Sequence, residues 1–274
     1  MDDRGSRTAR MVARFRALGA ERFPAIVGDR WAASLVDAAA IADADRYIEA
    51  HPHSVLYLSL RTATFDDEVR AAIRDRIRQI VILGAGLDTR AARLVTEGVR
   101  FFEVDHAATQ DDKRRRLANV DGYPLSAATY VSCDFENEDF LDRLAASGHR
   151  ASEPSLIVWE GVVYYLTEGA VRATCARIAS ACPASTRLVL DVVGKRMVKG
   201  ELRDASDLRA RELVSEMGEP LRFGIDDPLP LLYECGFRSV EVTSFDELAL
   251  RYTATYERDR KMRFQHVVRA SVSA

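Results

Sequence analysis

The sequence predicts an α/β chain: a Rossmann-like sheet of seven strands, mostly parallel, closed by a terminal antiparallel hairpin and preceded by a helical cap. Three observations predict it. Apolar strand-like runs alternate with helical stretches from residue 79 onward, which is the pattern of parallel strands joined by crossover helices. The first run, Ile80-Val81-Ile82-Leu83, passes directly into Gly84-Ala85-Gly86, as a strand does when it turns through glycine into a helix over a ligand. The last two strand candidates, at 238–244 and 263–271, follow one another as a hairpin.

Residues 7–60 read as helical throughout. Met11, Val12, Phe15 and Leu18 share one face, and a second amphipathic run extends from Asp29 through Leu35, Val36 and Ile41 to Tyr47. Residues 1–60 are therefore expected to form a cap and residues 61–274 the core. Thr64 with Asp67 reads as a helix start, and Phe65 to Arg78 as the helix leading into the sheet. Strands are placed at 80–83, 100–104, 128–132, 155–160 and 187–193, with helices near 88–97, 108–118, 137–146 and 168–181. A charged helical insert, Lys195 to Met217 within a lid at about 195–225, precedes a helix at Pro228–Cys235 and the closing hairpin.

The bulk numbers narrow the function classes. With 274 residues, 47% of them hydrophobic, the chain is long enough for one large domain with a full core. A net charge of −3 argues against a general phosphate-backbone binder, so no nucleic-acid partner is expected. The four cysteines, Cys133, Cys175, Cys182 and Cys235, form no CxxC pair and are expected to be reduced. The N-terminus lacks the apolar core of a secretory signal and no stretch approaches a membrane span, so a cytoplasmic protein without a membrane partner is expected. The five histidines show no helical ligand spacing, and no metal is expected.

The glycine turn carries the chemistry. Gly84 and Gly86 permit a tight turn and close approach of a ligand to the backbone; a tight turn alone is the plainer reading. Asp105 ends the second strand 19 residues after Gly86, where an acid accepts hydrogen bonds from ribose hydroxyls. A dinucleotide site would place a third glycine at position 89, but Thr89 stands there with Asp88 before it, and an acid beside a helix N-terminus repels phosphate. A phosphate-free nucleoside with positive charge, S-adenosyl-L-methionine, suits the site better. A nicotinamide-dependent oxidoreductase and a non-catalytic cofactor-binding protein are the alternatives.

Other side chains fall at the same edge. Asp134 and Phe135 follow the third strand, to bind adenine and cover it, with helix capping the simpler role for Asp134. Glu160 is a lone carboxylate in Leu156-Ile157-Val158-Trp159-Glu160-Gly161, and such a group needs a cation or several donors to offset desolvation. Its partner would be the cofactor's ammonium group, an arginine that holds the cofactor, or a purely structural one. Arg61, at the boundary of cap and core, is a natural fork for an α-carboxylate. His106 adjoins Asp105 and is placed with the cofactor; Tyr164 and Tyr165 are placed facing the acceptor, with core packing as the alternative.

A terminal hairpin closing a five-stranded parallel sheet is the arrangement of class I methyltransferases. Arg61-Thr62 before Phe65-Asp66-Asp67, Leu83-Gly84-Ala85-Gly86-Leu87-Asp88-Thr89-Arg90, Phe102-Glu103-Val104-Asp105 with Lys113, Cys133-Asp134-Phe135, and Trp159-Glu160-Gly161 leading to Tyr165-Leu166 together resemble the leucine carboxyl methyltransferase family, over about residues 10–270. Its bacterial branch includes polyketide O-methyltransferases. The resemblance implies that Arg61 holds the methionine carboxylate, that Gly84 and Gly86 line the methionine moiety, and that Asp105 binds ribose. It further implies that Asp134 and Phe135 contact adenine, that Glu160 sits at the methionine end, and that the acceptor lies under the cap and the insert. The cap's Ala25-Ile26-Val27-Gly28-Asp29-Arg30-Trp31-Ala32 follows the family's Asp-Pro-x-Ala pattern only loosely.

Methyl transfer is an in-line displacement, so the protein mainly positions and desolvates the reactants. A carboxylate acceptor is already ionised, whereas an alcohol or phenol usually needs a base. With no evident catalytic histidine, the sequence leans toward O-methylation of a carboxylate or an acidic enol or phenol, on a small molecule of secondary metabolism. His106 or a tyrosine remains available as a base. A monomer or homodimer is expected.

Overall fold

The computed structural model describes residues 6–135, 137–255 and 264–273. Residues 1–5, at the N-terminus expected to lack a leader, Glu136, and Arg263, the expected first residue of the last strand, lie outside the described residues.

Seven strands, β1 (Gln79–Leu83), β2 (Arg100–Asp105), β3 (Ala128–Ser132), β4 (Ser155–Trp159), β5 (Arg187–Val193), β6 (Ser239–Ser244) and β7 (Gln265–Ser271), form one sheet in the order β3-β2-β1-β4-β5-β7-β6. β1 to β5 run parallel, and β7 inserts antiparallel between β5 and β6. β1 is buried at every position, as its unbroken apolar run requires of a central strand covered on both faces. Alternate residues divide between the two faces. Ile80, Ile82, Phe101, Leu156 and Val158 join one core, while Val81, Leu83, Phe102, Ile157 and Trp159 join the other.

The helices are α1 (Arg7–Arg22), α2 (Ala38–Ala50), α3 (Ser54–Arg74), α4 (Arg90–Arg93), α5 (Ala107–Leu117), α6 (Phe140–Ala146), α7 (Glu168–Ala181), α8 (Lys195–Lys199), α9 (Ala205–Glu216), α10 (Leu229–Cys235) and α11 (Phe245–Thr253). Among the described residues no helix is long and apolar enough to cross a membrane. Several predicted boundaries move. The cap is interrupted between α1 and α2, where Asp29 accepts the amides of Trp31 and Ala32 and a short 3₁₀ turn follows at Ala32–Leu35. Thr64 does not start a helix. It lies inside α3 and bonds back to Leu60 O at 2.8 Å, as Ser59 and Thr62 do to Val55 and Leu58. The helix predicted at 88–97 is a single turn, and α6 begins at Phe140 because Asp139 caps it. The insert divides at Gly200, which is left-handed at φ 71°. α11 has no counterpart among the predicted helices, although Ser244 and Glu247 form a complete capping box before it.

Candidate active site

Register brings the site together. Leu83 pairs with Val104 on one side and Ile82 pairs with Val158 on the other, so Asp105, Gly84 and Glu160 stand level at the carboxyl ends of β2, β1 and β4. With strands about 4.8 Å apart, the two acids flank the glycine turn roughly 10 Å from one another. Gly84 and Gly86 have φ of 64° and 49°, a region costly to a side chain. A Cβ on Gly84 would collide with Val162, and one on Gly86 would lie 3.2 Å from Ala9 of α1. These glycines therefore make the turn and let the neighbouring chain segments close onto it.

Asp105 is fixed by the turn it faces. Its two oxygens accept the amides of Gly86 at 2.5 Å and His106 at 2.6 Å, and each keeps lone-pair capacity for a further donor. Burial raises its pKa above the usual carboxylate range, outweighing those two amide bonds. His106 is the exposed N-cap of α5, its backbone amide donating to Asp105 and its ring Nδ1 accepting the Ala108 amide at 3.4 Å. Asp134 is half-buried beyond β3, where Asn137 donates to its Oδ2 at 2.8 Å, and the ring of Phe135 lies 6.4 Å from that of Phe140.

Arg61 comes from α3. Its Nε donates to Glu160 Oε1 at 2.9 Å and its Nη1 to the Tyr164 hydroxyl at 3.0 Å and Asp191 Oδ2 at 3.4 Å; Nη2 is not among these donors. Gly161 lies against this guanidinium, since a Cβ there would be 3.2 Å from Nη2. Its amide donates to Asp191 Oδ1 at 2.6 Å. Burial raises the pKa of Asp191, against the opposing pull of Arg61. Tyr164 is pushed far above an ordinary phenol, first by burial and then by Asp191, so its hydroxyl keeps its proton and accepts from Arg61. The Tyr165 ring packs edge-on against Tyr164 at 4.8 Å and, with Met197 and Val198, beneath α8.

Two members of this cluster escaped the sequence reading. Arg90, 1% exposed, donates from Nε to Asp66 Oδ1 at 2.7 Å, pairs through Nη1 with Asp88, and lies 2.6 Å from Glu160 Oε2. Burial pushes the Asp88 pKa upward, but Arg90 and its basic neighbours overcome this and hold it well below the usual range. Asp88 is thus a neutralised acid, which corrects its reading as a bare charge opposing phosphate. It also caps the turn it precedes, accepting Arg90 N–H at 2.5 Å. Asp191 was detectable by the argument that singled out Glu160, because it is the lone charge in Leu188-Val189-Leu190-Asp191-Val192-Val193.

The arginines Arg61, Arg90 and Arg93 face four carboxylates, Asp66, Asp88, Glu160 and Asp191. The excess negative charge suits a ligand of net positive charge. An arginine fork stands beside the glycine turn, with one acid level with that turn on each neighbouring strand. A 3-2-1-4-5-7-6 sheet with this site at its carboxyl edge defines a class I methyltransferase dependent on S-adenosyl-L-methionine.

Comparisons with known proteins agree. The leucine carboxyl methyltransferase family model matches residues 9–179, and the chain belongs to that family. A Streptomyces avermitilis protein named for S-adenosyl-L-methionine-dependent methyl transfer is 34% identical over 241 residues, covering 85% of this chain and 82% of its own. A Mycobacterium tuberculosis protein named likewise is 32% identical over 269 residues, covering 90% and 85%. Among solved structures, a duf574 family protein from Streptomyces avermitilis superposes with a TM-score of 0.70 at 16% identity, covering 98% of both chains. A Thermobifida fusca structure titled as a methyltransferase gives 0.64 at 16% identity, covering 100% of this chain and 97% of that one.

Proposed function

We propose that this protein transfers a methyl group to an oxygen, a carboxylate or an acidic hydroxyl, of a small molecule of secondary metabolism, acting as a monomer or homodimer. The observation that carries the reading is the Arg61 fork, clamped by Glu160, Tyr164 and Asp191 beside the glycine turn. S-adenosyl-L-methionine supplies an electrophilic methyl carbon on a sulfonium. Arg61 would pair with its α-carboxylate through the Nη2 edge, Asp105 would accept from the ribose, and Asp134 with Phe135 would hold the adenine. Glu160 acts through Arg61 and Arg90, holding both guanidiniums in place.

The family's name supports an oxygen acceptor, since it describes carboxyl methylation. The cap and insert favour a small one, being drawn together over this edge. Arg46 of α2 meets Glu216 of α9 at 2.8 Å, Ser6 donates to Glu219 at 2.7 Å, and Thr8 reaches the same carboxylate. Within this reading residues 1–60 are the cap and about 195–225 the lid over the acceptor. The test is incubation with S-adenosyl-L-methionine and a panel of carboxylic, phenolic and amine acceptors, followed by mass spectrometry. Methyl esters or ethers are expected; methylation confined to amines, or no binding of S-adenosylhomocysteine, would overturn the reading.

A further inference from the structure

A second polar cluster lies between cap and insert, lined by Tyr47, His51, Ser54, Tyr57, Met197 and Asp207, with Ala210, Phe264 and Gln265 completing the wall. His51 Nδ1, Ser54 Oγ, Asp207 Oδ1 and Gln265 Oε1 are buried atoms of this wall without a hydrogen-bond partner. His51, Ser54 and Asp207 are 8%, 1% and 7% exposed. Leaving such atoms unsatisfied costs about 1–3 kcal/mol each, so four around one small space mark a place built for a polar guest. The free volume is about 20 Å³, room for roughly one water, so a larger guest would require the insert to move off the cap. The exposed Arg46–Glu216 pair opposes this weakly.

We propose that this space is the inner end of a hydroxyl-acceptor site in which His51 is the general base and Asp207 its positioning residue. The proposal rests on the methyl-transfer reading above and chooses, between its two acceptor classes, a phenol or enol over a carboxylate. His51 Nε2 lies 3.3 Å from Asp207 Oδ1, a close contact without hydrogen-bond alignment. In this proposal the ring proton sits on Nε2, toward Asp207, and the lone pair on Nδ1. The residue stands at the C-cap of α2. The other titratable groups around it are Tyr47 on α2, whose ring is 6.4 Å away, His53 in the adjoining turn, also at 6.4 Å, and Tyr57 on α3.

The cavity points toward the cofactor end. Ser54, Tyr57 and Arg61 are spaced three and four residues apart on α3 and so form one stripe of that helix. Tyr57 lies within the electrostatic reach of Arg61, Tyr164 and Asp191. In the reaction, His51 Nδ1 takes the hydroxyl proton as the acceptor oxygen bonds the methyl carbon. The carbon–sulfur bond breaks with its electron pair left on sulfur, giving the methyl ether, the neutral thioether and an imidazolium.

The probe is 4-nitrophenol, whose phenolate absorbs apart from its phenol, added to protein loaded with S-adenosylhomocysteine. Wild-type protein is expected to bind it with a phenolate band at a pH where the free probe is mostly phenol. His51→Asn should bind S-adenosylhomocysteine as wild type does, lose that band, and turn over a phenolic acceptor about 100-fold more slowly. Asp207→Asn should retain the band only in part and shift the acid limb of the pH–rate profile. Histidine-ring NMR of wild-type protein reads the same event without a variant, since His51 must become doubly protonated when the probe binds. An unmoved His51 resonance, no probe binding, or identical probe spectra in wild type and His51→Asn would overturn the proposal while leaving methyl transfer standing. Failure of wild-type protein to bind S-adenosylhomocysteine would instead remove the reading beneath it.

Discussion

Arg90 Nη1 lies 2.6 Å from Glu160 Oε2, while the other oxygen of the same carboxylate accepts from Arg61. One acid from the end of β4 therefore ties the turn that follows the glycines to the helix that carries the carboxylate fork. All three side chains are 10% exposed or less. Removing one member of so buried a group leaves charges without compensation.

Glu160→Gln is accordingly expected to destabilise the protein by about 3 kcal/mol and to weaken S-adenosylhomocysteine binding at least tenfold, about 1.4 kcal/mol. Thermal unfolding and isothermal titration read the two effects. An unchanged midpoint together with unchanged affinity would show that Arg61 and Arg90 are held by Asp191, Asp66 and Asp88 without Glu160.

Asp105→Asn preserves shape but replaces one acceptor oxygen with an NH₂ that faces the amide of Gly86 or His106. In the proposed role of Asp105 it also removes a charge-assisted acceptor for ribose. Affinity for S-adenosylhomocysteine should fall by about 2–3 kcal/mol, near 100-fold, with the circular dichroism spectrum unchanged. Because burial raises the Asp105 pKa, binding to wild-type protein should weaken on acidification before an ordinary carboxylate would protonate. The affinity of Asp105→Asn should lack that dependence.

Much of the sheet was legible because its signals are local. Unbroken apolar runs located β1 and β4, an apolar run interrupted only by Asp191 located β5, and the spacing of Gly86 and Asp105 placed that acid at the carboxyl edge beside the glycine turn. The lone charge at Glu160 announced a buried pair, although the identity of its partners was open. What stayed hidden depends on pairing across long separations. Arg90 meets Asp66 and Glu160 across 24 and 70 positions, and His51 meets Asp207 across 156, distances at which periodicity carries no information. The sequence lean toward a carboxylate or an acidic enol or phenol came from seeing no partnered histidine. That partner is supplied by the insert, which only the fold brings over the cap.

Glu103 and Lys113 form a buried ion pair under β2, with Glu103 Oε1 left unpartnered. Burial pushes the Glu103 pKa up to about 7, and Lys113 only partly offsets this. Since this folded-state pKa lies above that of the unfolded chain, the folded form holds the proton more tightly between pH 4.5 and about 7. The contribution of Glu103 is thus most favourable below that window and declines as pH rises through it, by on the order of 2–3 kcal/mol. Urea unfolding from pH 4.5 to 7.5 on wild type and Glu103→Gln should show a difference profile with this slope. A flat difference would place the Glu103 pKa near its ordinary value.

The loop after β1 also decides against dinucleotides. Pyrophosphate binds there when a helix N-terminus offers free amides beside a third glycine. In this chain Arg90 N–H is taken by Asp88 Oδ1 at 2.5 Å. Thr89 is fully buried, its hydroxyl donating to Asp29 Oδ2 at 2.7 Å. Asp29 also binds Arg16, which reaches the Leu87 carbonyl, so α1 and the loop that follows it close over the turn. Neither NAD nor NADP should give measurable heat on titration at millimolar concentration, and neither should displace S-adenosylhomocysteine. Replacing Thr89 by glycine should not restore dinucleotide binding, because Asp88 still occupies the amide. Saturable NADH binding to wild-type protein, read by its fluorescence, would show that this loop opens in solution and would return the oxidoreductase reading to consideration.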